Sequence, residues 1–157
     1  MINLFEEFEK LLKEAPLPYG RKPVLKEYSK DGNYQEFYIP CSPRSMISIH
    51  MHFDGVQIRC YAYVNKQWYV YQLGTILYDR VPKPKYGIAK PPDIEKPTNP
   101  DNFDAQRLYG IKCVHYSLLL YGDDVLRGDL EWIKESRYPP LPAGDMTFFM
   151  EKYNITF

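Results

Sequence analysis

Residues 45–64 constrain the fold of this chain more than any other stretch. Two runs of alternating apolar and polar residues, 45–53 and 56–64, meet at Asp54-Gly55. An Asp-Gly pair supplies the positive φ angles that a two-residue hairpin loop requires. With that loop Phe53 pairs with Val56, Met51 with Ile58, Ile49 with Cys60 and Ile47 with Ala62, so one face of both strands is apolar. The opposite face sets His52 beside Gln57, His50 beside Arg59 and Ser48 beside Tyr61. A ribbon that is dry on one side along both strands demands a core to cover that side.

The flanking sequence supplies the cover. Ile2, Phe5, Phe8 and Leu12 recur at helical spacing over 2–14, with Leu4 and Leu11 alongside. Asn3 is placed to cap a slightly later start, and Pro16 and Pro18 end the helix. Residues 24–29 and 34–39 read as strands around Asp31-Gly32, after which Pro40 and Pro43 are expected to break the pairing. A fifth strand is expected over 68–73, following Asn65-Lys66. A two-residue loop there sets Trp68 and Val70 beside Tyr63 and Tyr61, whereas a three-residue loop sets Tyr69 and Tyr71 beside them.

The last third of the chain is helical in pattern. Asn99-Pro100-Asp101 is a start signal, Phe103, Leu108, Ile111, Val114 and Leu118 form an apolar face, and Gly122 is a stop. A second helix is expected from Asp123 through Ile133. Gly128 inside it costs about 1 kcal/mol against alanine, which marks close packing or a bend. A short final helix capped by Asp145 carries Phe148, Phe149 and Tyr153. The expected class is α+β: an N-terminal helix, an antiparallel meander of about five strands, and C-terminal helices packed on one face. Residues 1–157 suit a single domain, with a connector over about 79–100 that contains six prolines.

Charge and cysteine usage narrow the function. Lys plus Arg and Asp plus Glu are each 20, so the chain lacks the basic excess by which proteins grip nucleic acid through its phosphates. The three cysteines, Cys41, Cys60 and Cys113, are widely spaced, which is unlike a disulfide framework. Glu6 and Glu7 stand where a signal peptide needs a basic flank, and no run approaches the roughly 18 apolar residues of a membrane span. A cytoplasmic protein with no membrane or nucleic-acid partner is the expectation.

Few residues suggest chemistry. His50 and His52 project from one side of a strand, a spacing metal sites use, but Asp54 lies in the turn and His115 in a distant helix. Cys60 falls on the dry face, where a thiol resists ionisation. Cys113 and His115 do not face one another on a helix, and Cys41, between prolines, is the thiol read as exposed. The acids Asp123, Asp124, Asp129 and Glu131 suit helix starts and helix surfaces. No catalytic set, cofactor or metal site is expected.

The segment Tyr121-Gly122-Asp123-Asp124-Val125-Leu126-Arg127-Gly128-Asp129-Leu130-Glu131-Trp132 resembles a helix-start motif of small bacterial immunity proteins from polymorphic toxin systems. The resemblance implies an α+β fold and a protein that blocks a cognate toxin by binding it. The expected function is therefore protein binding without catalysis, through a wet sheet face formed by His50, His52, Arg59, Tyr61, Tyr63, Tyr69 and Tyr71. Tyr, Trp and Arg are favoured at interface hot spots. The alternatives are a small metal- or ligand-binding enzyme using the His50/His52 face, and an oligomeric accessory protein.

Overall fold

The alternating ribbon does form a hairpin, and its dry side is the floor of the main core. A computed structural model of the chain describes residues 2–30, 34–52, 55–82, 90–152 and 155. The turn signals Asp31-Gly32 and Asp54 lie outside the described residues. Strands β1 (Leu25–Tyr28), β2 (Gln35–Ser42), β3 (Ser45–His52), β4 (Gly55–Val64), β5 (Gln67–Tyr71) and β6 (Leu141–Pro142) build one antiparallel sheet in that order. The helices are α1 (Leu4–Glu14), α2 (Leu73–Asp79), α3 (Phe103–Tyr121), α4 (Asp123–Arg127) and α5 (Met146–Lys152). The fold is α+β. None of the helices is long and apolar enough to cross a membrane among the described residues.

On the core face, Ile39, Ile47, Ile49, Ile58, Cys60 and Ala62 are buried against Leu4 and Phe8 of α1, Ile76 of α2, Ile111 and Leu118 of α3, and Leu126 of α4. Each large apolar side chain removed from water in this way stabilises the fold by roughly 1.5–3 kcal/mol. Asn3 caps α1 by accepting from the Glu6 amide at 3.0 Å, which moves the start two residues inside the expected one. His115 of α3 meets the other end of α1, its Nε2 2.8 Å from the Ala15 carbonyl.

The β3–β4 register differs from the expected one by two residues. Met51 pairs with Val56, Ile49 with Ile58, Ile47 with Cys60 and Ser48 with Arg59. Side chains repeat with period two along a strand, so this slip leaves every residue on its assigned face. Strand β2 runs on through Pro40, which pairs with Met46, and its register shifts only between Pro40 and Ser42. Strand β5 stops at Tyr71 because Leu73, Ile76 and Leu77, at i, i+3 and i+4, instead bury one face of α2. The cap of α3 is Asn102, accepting from the Ala105 amide at 3.2 Å, while Asn99 accepts from Asp101 in the preceding turn at 2.9 Å.

The expected second helix is broken at Gly128. Its φ of +98° ends α4, and its amide closes the cap on the carbonyls of Asp124 and Val125. A short 3-10 helix, Glu131–Glu135, follows and buries Trp132. A Cβ on Gly128 would lie 2.8 Å from the Cys41 carbonyl oxygen and 2.8 Å from the Ser42 Cβ. The glycine thus both bends the chain and lets it touch β2. Gly128→Ala is expected to lower stability by more than about 2 kcal/mol, since it adds left-handed strain to a backbone clash. Urea unfolding will measure this, and an unchanged midpoint would contradict it.

Candidate functional site

Alternation places Glu36, Tyr38, Met46, Ser48, His50, Arg59, Tyr61, Tyr63 and Trp68 on the second face of the sheet. This face has two halves. Over one, Tyr38, Met46 and Trp68 are buried with Met150 of α5, and Tyr61, Tyr63, Met146 and Phe149 pack around them. The wet face expected from sequence is therefore covered here, because the chain returns through β6 and lays its last helix across it. The other half is polar and centres on Glu36.

The Glu36 carboxylate is 5% exposed, and the chain surrounds it with donors. It accepts from Ser48 Oγ at 2.7 Å, from Arg59 Nη2 at 2.8 Å and from the Tyr38 hydroxyl, and the Tyr34 phenol stands near enough to feel its charge. Burial pushes its carboxyl up, but these hydrogen bonds and the Arg59 charge outweigh burial and hold it below the usual carboxylate range. The phenols move the other way. Burial and then the neighbouring Glu36 charge push Tyr34 up to about 12; burial and the Glu36 hydrogen bond raise Tyr38 further still. At neutral pH the cluster therefore holds an ionised carboxylate between neutral phenols and a guanidinium. Charge-assisted bonds of this kind are about twice as strong as neutral ones. The Arg59 Nε is buried without an acceptor among the described residues.

The residues expected to bind a partner are not all together. Arg59 and His50 share the polar half, but His50 is buried, at 6% exposure, rather than wet. The side chain of His52 lies outside what the structure describes. Tyr61 and Tyr63 border the half under α5. Tyr69 and Tyr71 belong to the core face and correct the grouping: Tyr69 pairs with Ala62 and Tyr71 with Cys60. The cause is the turn at Asn65-Lys66, where φ values of +51° and +64° make a two-residue loop. Tyr71 is buried edge-to-face on Trp132, with ring centroids 5.3 Å apart.

The cysteines offer no ready thiolate. Cys41 is buried rather than exposed, and burial pushes its thiol up to about 12. Burial also raises Cys60 and Cys113. Among the described residues, no group of three or more His, Cys, Asp or Glu side chains converges as a metal site would require. Sequence reasoning missed Glu36, Tyr34, Tyr38 and Ser48. Their signal was present in the alternation Tyr34-Gln35-Glu36-Phe37-Tyr38, which sets an acid between two tyrosines on one face. No family model, curated protein or solved structure matches the chain.

A pH titration tests the cluster. A carboxyl held low in the folded state adds stability above its unfolded pKa of about 4.3, and that stability is lost as pH falls through the folded value. Stability of the wild type is expected to drop as pH falls below about 4.3. Glu36→Gln should cost about 1–3 kcal/mol at pH 7 and lose part of this acid dependence. Parallel urea curves for wild type and variant across the range would refute the assignment.

Proposed function

We propose that the chain is a non-catalytic protein-binding protein, and that its concrete role is to neutralise a toxin by occupying it, as the resemblance of residues 121–132 implies. The observation that carries this reading is the way Glu36 holds Arg59 beside Tyr34. Both side chains reach the surface, Arg59 at 25% exposure and Tyr34 at 41%; Arg59 is tied to the buried carboxylate, and the Tyr34 phenol lies near enough to feel its charge. Tyr and Arg dominate binding hot spots because they bury large area and still make hydrogen bonds. A side chain already fixed in place loses less freedom when a partner arrives. Glu27 and Gln57 stand exposed on the strands at either side.

The same cluster favours recognition over turnover. A general base works best with its pKa near the operating pH, whereas Glu36 is held low and its lone pairs are engaged by the chain's own donors. The thiols are held protonated, so nucleophilic attack through cysteine has no support.

The test uses the purified chain and the product of a neighbouring toxin-type reading frame. A stable complex that abolishes the toxic activity is expected. Tyr34→Ala combined with Gln57→Ala should weaken the complex at least tenfold, while Glu9→Ala on the exposed side of α1 should not. Failure to form a complex, or an unaltered Kd in the double variant, would overturn the reading.

A further inference from the structure

We propose that α5 is a built-in occupant of a recognition groove, and that the groove accepts from a partner an amphipathic helix with large apolar side chains at i, i+3 and i+4. The inference deepens the protein-binding reading and rests on it for the partner. The groove floor is the covered half of the second sheet face: Tyr38, Met46, Tyr61, Tyr63 and Trp68. This cluster is separate from the main core, and its composition differs. The core face of the same strands uses Ile47, Ile49, Ile58, Cys60 and Ala62, which pack densely but read nothing. The groove floor instead carries tyrosines and a tryptophan, flat amphipathic groups that bind apolar surface and hydrogen-bond at their tips.

What fits the groove is displayed by α5 itself. Met146, Phe149 and Met150 face the floor at i, i+3 and i+4, the anchor spacing by which amphipathic helices sit in grooves. The Phe149 and Tyr38 ring centroids are 5.3 Å apart, and Trp68 Nε1 donates to Thr147 Oγ1 at 2.9 Å.

The hold on α5 is slight. The helix has seven residues, too few to be stable without packing. Of these only Met150 is buried, and Phe148 is 65% exposed. Among the described residues its tether, which contains Pro139, Pro140 and Pro142, joins the sheet through two paired residues of β6 and the Ala143 amide to the Trp68 carbonyl, 2.9 Å, with Ala143 and Ile155 packed at the margin of the cluster. Gly144, just before the helix, has open space around it. A segment built this way can lift away while β1–β5 and the main core stay folded.

Two measurements on the full chain test this without any partner protein. In native-state hydrogen exchange, α5 amides are expected to exchange at least a hundredfold faster than those of β3 and β4, with no dependence on low denaturant. Exchange of α5 only through global unfolding would overturn the clasp. In the second, Met150→Asp is used to free the groove, and a synthetic peptide of residues 144–157 is added in trans. The folded variant should bind the peptide at micromolar concentration, and wild type at least tenfold more weakly. A control peptide with serine at the three anchor positions should not bind. A folded Met150→Asp that ignores the first peptide would overturn the groove, and should this variant not fold, the exchange result on wild type decides alone. Because neither measurement involves a toxin, a positive result here with no toxin complex would count against the proposed function and leave the groove standing.

Discussion

Covering on both faces is the constraint from which most of this structure follows. Strands β2, β3 and β4 have helices of the main core on one side and, on the other, a polar cluster beside a second apolar cluster. Antiparallel sheets commonly leave one side to water, and then polar residues there need no partner. Here they do. Glu36 is satisfied by Ser48, Arg59 and Tyr38 because a carboxylate taken out of water without donors would neutralise or unfold its surroundings. That requirement gives the two-residue shift in the β3–β4 register a physical meaning. It sets Arg59 opposite Ser48 and within reach of Glu36.

A second anchor joins the elements that follow the sheet. Arg80, just after α2, donates to both oxygens of Asp124 at 2.8 and 2.9 Å, to Glu135, and to the Tyr121 carbonyl at 2.6 Å. Its guanidinium therefore ties α2, the α3–α4 junction and the 3-10 helix together. The segment 121–132 is consequently dense in structural roles. Gly122 has no room for a side chain against Leu118, Asp124 takes Arg80, Gly128 contacts β2, and the Asp129 carbonyl accepts from the buried Trp132 indole at 2.7 Å. These twelve residues shape a corner, and the surfaces we propose for binding lie on the sheet instead.

The two surfaces differ in how they would be used. Arg59 is set in place by the buried Glu36 carboxylate, so in the proposed reading a partner would meet it already ordered. The aromatic face is filled by the chain's own helix, so in the proposal a partner would have to displace α5 before gaining the contact.

Local pattern decided a good deal. Which residues share a face of the ribbon, and that the face of Ile47, Ile49, Ile58 and Cys60 is dry, were legible in the alternation, because the side-chain period of a strand depends on the backbone alone. The caps at Asn3 and Asp145 were legible for the same reason, since each acts within a few residues of itself, and Gly128 was legible as a point of bending or close packing though not as the end of α4. Tertiary structure decided what period two cannot distinguish. The register of β3 against β4, the loop that turned Tyr69 and Tyr71 into the core, and the return of α5 over Tyr38 and Trp68 depend on residues far apart in the chain. The proposed binding surface fell in this second category. Whether a tyrosine on a sheet face meets water or another helix is fixed by where the chain comes back, and no local preference encodes that return.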